Sequence, residues 1–481
     1  MKIDSQMLID NKWIDSLSGE TIEVSNPANE EIIGFVPKGG TEDAKKALEA
    51  AQRAFKSWST LPVSKRSALL HKSADLTRQN QEEISRLLTM EQGKPLSQAR
   101  GEVKSAADSI DYFAEEGMRV RGEIIPTDKA SQRSFIIKQP LGVVVAIAPT
   151  NYPVSLMAWK VAPALVAGCT VVCKSSSETP LATANFMQCF VDAGIPSGVL
   201  NYVTGQGSTL GRELVSNSIT RKITITGGTE IGKEVMRMAA DGIKRLTLEL
   251  GGQCPMIVCA DADIEASAKG ACYRGFRNTG QVCNSINRIY VERKVHEEFL
   301  NKVIDNTRKL SIGDGLKNPD IDLGPLLNEE ARQRVIEHIH DAVDKGGKVV
   351  YGGKIPEGFD KGFFFEPTVI ANANHNMLVM REETFGPVIP IMAIDSIGEA
   401  IELANDTTSG LVAYVYTKDM KTATLVSESL EFGTVGINNV SGGEHPYPYG
   451  GWKQSGFGLE LSNYGVEEFL AIKHIRLDIG Y

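Results

Sequence analysis

An α/β architecture of doubly wound parallel sheets is the fold class predicted for this chain, and three observations predict it. Short Val- and Ile-rich runs alternate with helical stretches through its middle. Those runs are apolar throughout rather than alternating, and polar or glycine-rich residues follow most of them. A strand covered on both faces has no polar side, and helices between strands make the strands parallel.

Taken in order, residues 41–92 read as two amphipathic helices split at Leu61-Pro62, with Thr41 as N-cap and Glu42 and Asp43 in the opening turn. Gly93-Lys94-Pro95 breaks that pattern, and a further helix is predicted over about 97–118. Residues 134–138 and 475–478 read as exposed strands. The β–α rhythm then runs through strands at 143–148, 170–173, 200–203 and 223–226, followed by helices near 153–168, 180–193, 208–216 and 230–240. A second set starts near Pro255 and recurs at 388–393, 411–416 and 434–438, which predicts a second α/β domain.

Composition narrows the function classes. The 481 residues carry 51 Lys plus Arg against 60 Asp plus Glu, a formal charge of −9, which argues against nucleic acid or an anionic membrane as partner. Seven scattered cysteines without a CxxC or a Cys/His cluster predict neither a disulfide scaffold nor a zinc site. The opening MKIDSQMLIDNKW has no apolar core of a secretory leader, and 161–173 is too short to span a bilayer. The expectation is a cytoplasmic protein.

In open parallel sheets a ligand binds beyond the carboxyl ends of the strands. The residues there are Pro149-Thr150-Asn151, Lys174 to Glu178, Gly205-Gln206-Gly207, Gly227-Gly228-Thr229 and Glu249-Leu250-Gly251-Gly252. The segments from Gly205 to Gly211 and from Gly227 to Gly232 each fit an ordinary βα turn or a turn that cradles a diphosphate. Two in one sheet, with Lys174 also at a strand end, favour a dinucleotide. Cys283, after Gly280-Gln281-Val282, is a nucleophile candidate or an inert thiol, whereas the other six cysteines read as packing. Glu249 ends a buried strand as either a structural ion pair or a general base.

These residues and several motifs carry a resemblance to the aldehyde dehydrogenase superfamily over essentially the whole chain. The motifs are Asn26-Pro27-Ala28, Glu91-Gln92-Gly93-Lys94-Pro95, Pro149-Thr150-Asn151-Tyr152-Pro153, Leu248-Glu249-Leu250-Gly251-Gly252, Gly280-Gln281-Val282-Cys283, Glu382-Glu383-Thr384-Phe385-Gly386-Pro387 and Ser455-Gly456-Phe457-Gly458. The 34-residue step from Glu249 to Cys283 belongs with them. The resemblance implies that Cys283 attacks an aldehyde and that the Asn151 amide and the Cys283 backbone N–H hold the oxyanion. It further implies that Glu249 activates the water that hydrolyses the thioester, with Lys160 in support and no metal. It implies NAD or NADP as cofactor: Lys174 on the adenosine ribose, Gly227 and Gly228 at the diphosphate, Glu383 and Phe385 at the nicotinamide end. Pro149, Thr150, Gly207, Gly211, Thr226 and Leu250 complete the set. Ser177 stands where NAD-preferring members often carry an acid, so NADP is expected to be tolerated. Thr150 replaces a bulkier residue.

For substrate, Arg277, six residues before Cys283, matches a carboxylate-binding arginine of succinate-semialdehyde dehydrogenases, although their second arginine is Trp159 here. Arg119 and Tyr152 resemble anion contacts of non-phosphorylating glyceraldehyde-3-phosphate dehydrogenases, and His445 lies in the loop expected to close the aldehyde tunnel. Together they imply a short aldehyde with an anionic tail. The alternatives are a neutral hydroxyaldehyde such as lactaldehyde or glyceraldehyde, a CoA-acylating enzyme, which Glu249 counts against, and a binding protein without chemistry. By resemblance, residues 1–121 and 141–251 form a dinucleotide-binding domain and 252–448 a catalytic domain. Residues 122–140 and 449–481 would bridge a homodimer or homotetramer.

Overall fold

Every apolar run expected between 143 and 226 forms a strand, and the few polar side chains in these runs, such as Asn201 and Thr170, are buried with hydrogen-bond partners rather than facing water. The computed structural model describes residues 3–480. Its first sheet has eight strands in the order Gly456–Phe457, Arg245–Glu249, Thr220–Thr226, Val143–Ile147, Thr170–Lys174, Leu200–Val203, Met7–Ile9 and Lys12–Ile14. The middle five are parallel and the additions at both edges are antiparallel. Strand order reverses between Val143–Ile147 and Thr220–Thr226, the switch point where such sheets open a crevice.

The second sheet has seven strands, ordered Lys348–Tyr351, Thr368–Ala371, Val388–Ile394, Ile286–Glu292, Cys254–Val258, Val412–Tyr416 and Thr434–Ile437. All are parallel except the first. Glu249 ends a strand of the first sheet, and Cys254 opens the first strand of the second. The chain therefore passes from the carboxyl edge of one sheet to the amino edge of the other within four residues. Cys283 precedes Ile286–Glu292, on that same amino edge.

A small antiparallel sheet joins Glu123–Ile125, Gln132–Pro140 and Leu470–Asp478, the last pairing along nine residues and leaving its other side open. The C-terminal segment also reaches back to the first sheet, where Gly456 and Phe457 pair with Glu249 and Leu248.

Two local expectations are corrected. Residues 41–92 form three helices, Thr41–Ser59, Val63–Gln79 and Gln81–Gln92, because the chain breaks again at Asn80. The first helix is capped at Gly40 rather than Thr41, and Asp43 supplies the side chain that accepts the Gly40 N–H at 2.9 Å. The predicted 97–118 helix is Leu96–Gly117, and it packs along the buried helix Pro153–Ala167.

Candidate active site

Cys283 is presented by a tight turn. Gly280 has φ +74°, and a β-carbon there would fall 2.0 Å from the Gly386 carbonyl oxygen, so only glycine lets the two backbones approach. The Gln281 side chain donates to the Asn278 carbonyl at 3.1 Å and accepts the Leu327 N–H at 2.9 Å, which stiffens the turn. The half-buried thiol opens on a cavity of about 330 Å³ whose lining includes Asn151, Tyr152, Trp159, Arg274, Arg277 and Tyr449. Burial pushes the Cys283 thiol up to about 11, and a hydrogen bond with Tyr449 pulls against that shift. The other six cysteines are free and buried.

Glu249 is buried at the end of its strand, and neither carboxylate oxygen meets a hydrogen-bond donor among the described residues. Burial, reinforced by the charge of Glu460, holds it well above the usual carboxylate range, while Lys160 opposes the shift. Lys160, buried in the middle of Pro153–Ala167, donates to Glu460 at 2.5 Å and to Thr226 at 2.7 Å. Two carboxylates thus share one buried ammonium. Thr226, expected at the cofactor, is tied into this cluster.

Asn151 accepts the Tyr152 N–H on its side-chain oxygen at 3.0 Å and donates one amide hydrogen to the Gln281 carbonyl at 3.2 Å. A primary amide has two such hydrogens, so the second is available to the cavity. The turn that carries Asn151 rests on a buried ion pair. Lys94 donates to Glu102 and to the Asn151 carbonyl, both at 2.5 Å, and sits 3.7 Å above the Tyr152 ring. Glu102 in turn accepts the N–H groups of Val154 at 2.9 Å and Ser155 at 3.3 Å, at the start of the next helix.

The carboxyl edge of the first sheet can hold a dinucleotide. Lys174 is buried at a strand end with one neutral acceptor, the Ser175 carbonyl at 3.1 Å, and burial pulls it down to about 8. A cation so placed favours a ligand hydroxyl or phosphate. Gly211 packs beside it, while Gly207 and Gly228 face open space. Ser177 donates to the Gly205 carbonyl at 3.3 Å, and no acid occupies its place. The first glycine segment enters an irregular turn and a five-residue helix, so only Gly227-Gly228, ahead of Thr229–Ala240, provides a full helix N-terminus. Glu383 reaches the far end of this edge and accepts the Gly252 N–H at 3.3 Å. A β-carbon on Gly251 would lie 2.4 Å from its carboxylate. Burial pushes Glu383 up to about 7. Phe385 follows in a left-handed backbone conformation, Leu250 packs against Gly232, and Pro149 and Thr150 are half-buried beyond their strand.

Two substrate expectations are corrected. Arg119 is exposed and paired with Glu115 at 3.5 Å and Glu116 at 3.2 Å, away from the cavity lining. His445 packs against the helix Leu96–Gly117, bonded to Ser109 at 2.8 Å and stacked on Tyr112, and burial pulls it down to about 4. The loop closes the cavity with its neighbours Gly442, Gly443 and Glu444 instead. Tyr152 and Arg277 do line it, with the half-buried guanidinium facing the rings of Tyr152 and Tyr273 at 5.7 and 5.9 Å. No carboxylate pairs with Arg277 among the described residues.

Sequence reasoning assigned no role to Lys94, Glu102, Arg274, Tyr449 or Glu460. Glu102 falls among Ala99, Val103 and Ala106 on the apolar face of its helix, and Glu460 stands between two leucines. An acid in an apolar row is the signal that could have found both. A larger cleft of about 820 Å³, bordered by Trp13, Asp15, Glu20 and Gln188, has no cysteine in its lining and lies apart from this chemistry.

A sheet edge that can hold a dinucleotide, facing a half-buried thiol and a buried carboxylate, fits an oxidoreductase. The chain belongs to the aldehyde dehydrogenase family, which it matches over residues 13–475. It is 44% identical over 474 residues to an NADP+ succinate-semialdehyde dehydrogenase of Escherichia coli K12, covering 98% of each chain. It is 41% identical over 475 residues to a 3-sulfolactaldehyde dehydrogenase of Pseudomonas putida, covering 99% of this chain and 97% of that one. A crystal structure of lactaldehyde dehydrogenase from Escherichia coli superposes with a TM-score of 0.97 at 37% identity, over 99% of this chain and all 100% of the other.

Removing Lys94 would strand a buried carboxylate beneath the Asn151 turn. Lys94→Met is expected to cost on the order of 3–5 kcal/mol of stability, read as a lowered urea midpoint. Methionine keeps the stem's volume, so a midpoint equal to wild type would show that the pair does not hold the turn.

Proposed function

We propose that this protein oxidises a short aldehyde with an anionic tail to the carboxylic acid, using NAD or NADP. The observation that carries the substrate reading is Arg277, a half-buried guanidinium on the wall of the Cys283 cavity with no carboxylate partner among the described residues. Arg274, buried on the same wall, adds a second positive charge. The named semialdehyde and sulfolactaldehyde relatives act on aldehydes of that kind, which supports the reading.

Cys283 loses its proton, and its sulfur attacks the aldehyde carbon while the carbonyl electron pair moves onto oxygen. The free amide hydrogen of Asn151 and the Cys283 backbone N–H receive that oxyanion, and preorganised donors of this type lower a barrier by about 3 kcal/mol each. NAD or NADP, when bound, would supply the acceptor for the hydride whose loss turns the thiohemiacetal into a thioester. Ser177, Lys174, Gly227, Gly228 and Glu383 would hold it; Ser177 lacks the acid that would repel a 2′-phosphate, while the exposed Glu178 one residue on leaves NAD open as well. Water then attacks the thioester, Glu249 takes its proton, and the Cys283 sulfur leaves with the bonding pair. Lys160, held on Glu460 and Thr226, keeps a positive charge near Glu249 that favours its ionised, proton-accepting form.

In this reading residues 1–121 and 141–251 bind the dinucleotide, and 252–448 carry the nucleophile. Residues 122–140 and 449–481 bridge to a second copy, and the latter also contributes Glu460. The open strand Leu470–Asp478 favours a homodimer or homotetramer, since it displays Ile472 at 71% exposure, and the opposite edge of the same small sheet displays Ile124 at 77%. Seven free thiols support a reducing, cytoplasmic setting. No helix among the described residues is long and apolar enough to cross a membrane.

Cys283→Ala is expected to abolish turnover and the first burst of reduced cofactor while leaving cofactor binding intact. Glu249→Gln should keep the burst and lose turnover by roughly 10²–10⁴-fold. Because burial raises Glu249, its base form accumulates only above the ordinary carboxylate range, so wild-type turnover should climb with pH beyond the range where a free carboxylate titrates. The same sign means that ionising Glu249 costs stability as pH rises. An active Cys283→Ala enzyme would falsify the mechanism.

Arg277→Ala, assayed with both cofactors, should raise KM about 30-fold or more for succinic semialdehyde and under about twofold for a neutral aldehyde, the scale of a lost charge-assisted contact. Equal losses on both substrates would remove the anionic-tail reading. Ile472→Glu should lower the particle mass in light scattering, and an unchanged mass would remove the proposed interface.

A further inference from the structure

A line of polar side chains runs from the Val440 carbonyl to the sulfur of Cys283. Arg274 Nε donates to Val440 O at 2.7 Å, and its Nη1 donates to Asn284 Oδ1 at 3.2 Å. A guanidinium has only donors, so the oxygen of the Asn284 amide must face it and the amide nitrogen must face away. That nitrogen donates to the Tyr449 phenol oxygen at 3.4 Å. With its oxygen accepting, the phenol has its own proton left for the neighbouring atom, Cys283 Sγ, at 3.6 Å. The directions as far as the phenol oxygen are thus set from the arginine end, and the phenol's own proton is left to point at the sulfur.

The line is also held in place. The Tyr414 hydroxyl donates to the Asn284 carbonyl at 2.7 Å. Tyr449 exchanges two backbone hydrogen bonds with Glu460, at 2.9 and 2.8 Å, and its ring meets the edge of Trp159 at 5.8 Å. The phenol is buried and cannot swing to water.

We propose that Tyr449 is a catalytic residue whose phenol donates a hydrogen bond to the Cys283 sulfur. The bond favours thiolate over thiol before attack, and it steadies the sulfur when it leaves the thioester with the bonding pair. No proton changes hands in either step: the phenol keeps its hydrogen throughout. Burial first, then the charges of Cys283 and Glu249, holds the phenol well above its usual range, so it remains a donor while the thiol titrates. The other groups that act on Cys283 pull both ways. Glu383 and Glu249 disfavour a thiolate, and Arg274 favours one. Tyr152, Tyr414 and Cys254 also feel the thiol's charge. In a pocket of low dielectric, one donor to the charged form weighs more than it would in water.

The proposal rests on Cys283 being the nucleophile, so its test reads the thiol rather than turnover alone. In Tyr449→Phe, which keeps the ring against Trp159, the pH of half-maximal Cys283 alkylation by iodoacetamide should rise by about one unit. The alkylation rate at pH 7.5 should fall about tenfold, the change that one pKa unit represents. The rise of kcat/KM with pH should move the same way, with melting temperature and NADP affinity unchanged. Placing 3-fluorotyrosine at 449 makes a stronger donor without disturbing the fold and should move the alkylation profile down instead. Should Tyr449→Phe fail to fold, the fluorinated protein decides alone. A fluorinated protein whose profile superimposes on wild type or moves up overturns the proposal, as does a folded Tyr449→Phe whose profile fails to rise. Neither result touches the nucleophile reading, which only an active Cys283→Ala enzyme would remove.

Discussion

A charge taken out of water has to be answered by another charge or by hydrogen bonds, and the centre of this protein is arranged around that constraint. Lys94 and Glu102 satisfy it fully. Their pair is dry, and its remaining donors and acceptors are used on the Asn151 carbonyl and on two N–H groups of the following helix. The result is a stiff platform beneath the amide that faces the cavity. Glu249 answers the constraint only in part, since its oxygens meet no protein donor and its one nearby cation is shared with Glu460. A fully paired carboxylate would be a poor base. This one is held well above the usual carboxylate range, which makes it a stronger base than a paired carboxylate.

The same contrast separates the two ligand regions. Lys174 and Arg277 are buried or half-buried cations whose full complement of partners is not supplied by the protein, one at the edge of the first sheet and one on the cavity wall. Arg119, which is fully paired and exposed, offers an anion little that water does not. Net charge therefore predicts the company the whole surface keeps and says nothing of the pocket. A chain of −9 still presents two arginines to its substrate cavity.

The C-terminal segment ties these regions together. Gly456 and Phe457 extend the first sheet beside Glu249, Glu460 completes the buried ammonium pair, and Tyr449 touches the sulfur of Cys283. Residues more than 160 positions beyond Cys283 thus set the environment of both the Cys283 thiol and the Glu249 carboxylate. Such a dependence is invisible to local pattern.

The sequence by itself determined the α/β class, the central strands of the first sheet, part of the second and the residue types at the strand ends, because hydrophobic period and glycine placement are local properties. The family motifs brought Cys283, Glu249 and Asn151 into one hypothesis on the same basis. It missed Ile286–Glu292, Thr368–Ala371 and the short edge strands, whose place is set by pairing in the packed chain. The extra break at Asn80 escaped because the helical period continues through it. Only the tertiary structure decided that the nucleophile stands at the amino edge of the second sheet, facing the carboxyl edge of the first. Only it separated Arg277 from Arg119, joined Lys94 to Glu102, and ran a directed line of hydrogen bonds from Arg274 to Tyr449. Burial and through-space pairing are properties of the packed chain, and an arginine reads the same in sequence whether a carboxylate or an empty pocket lies across from it.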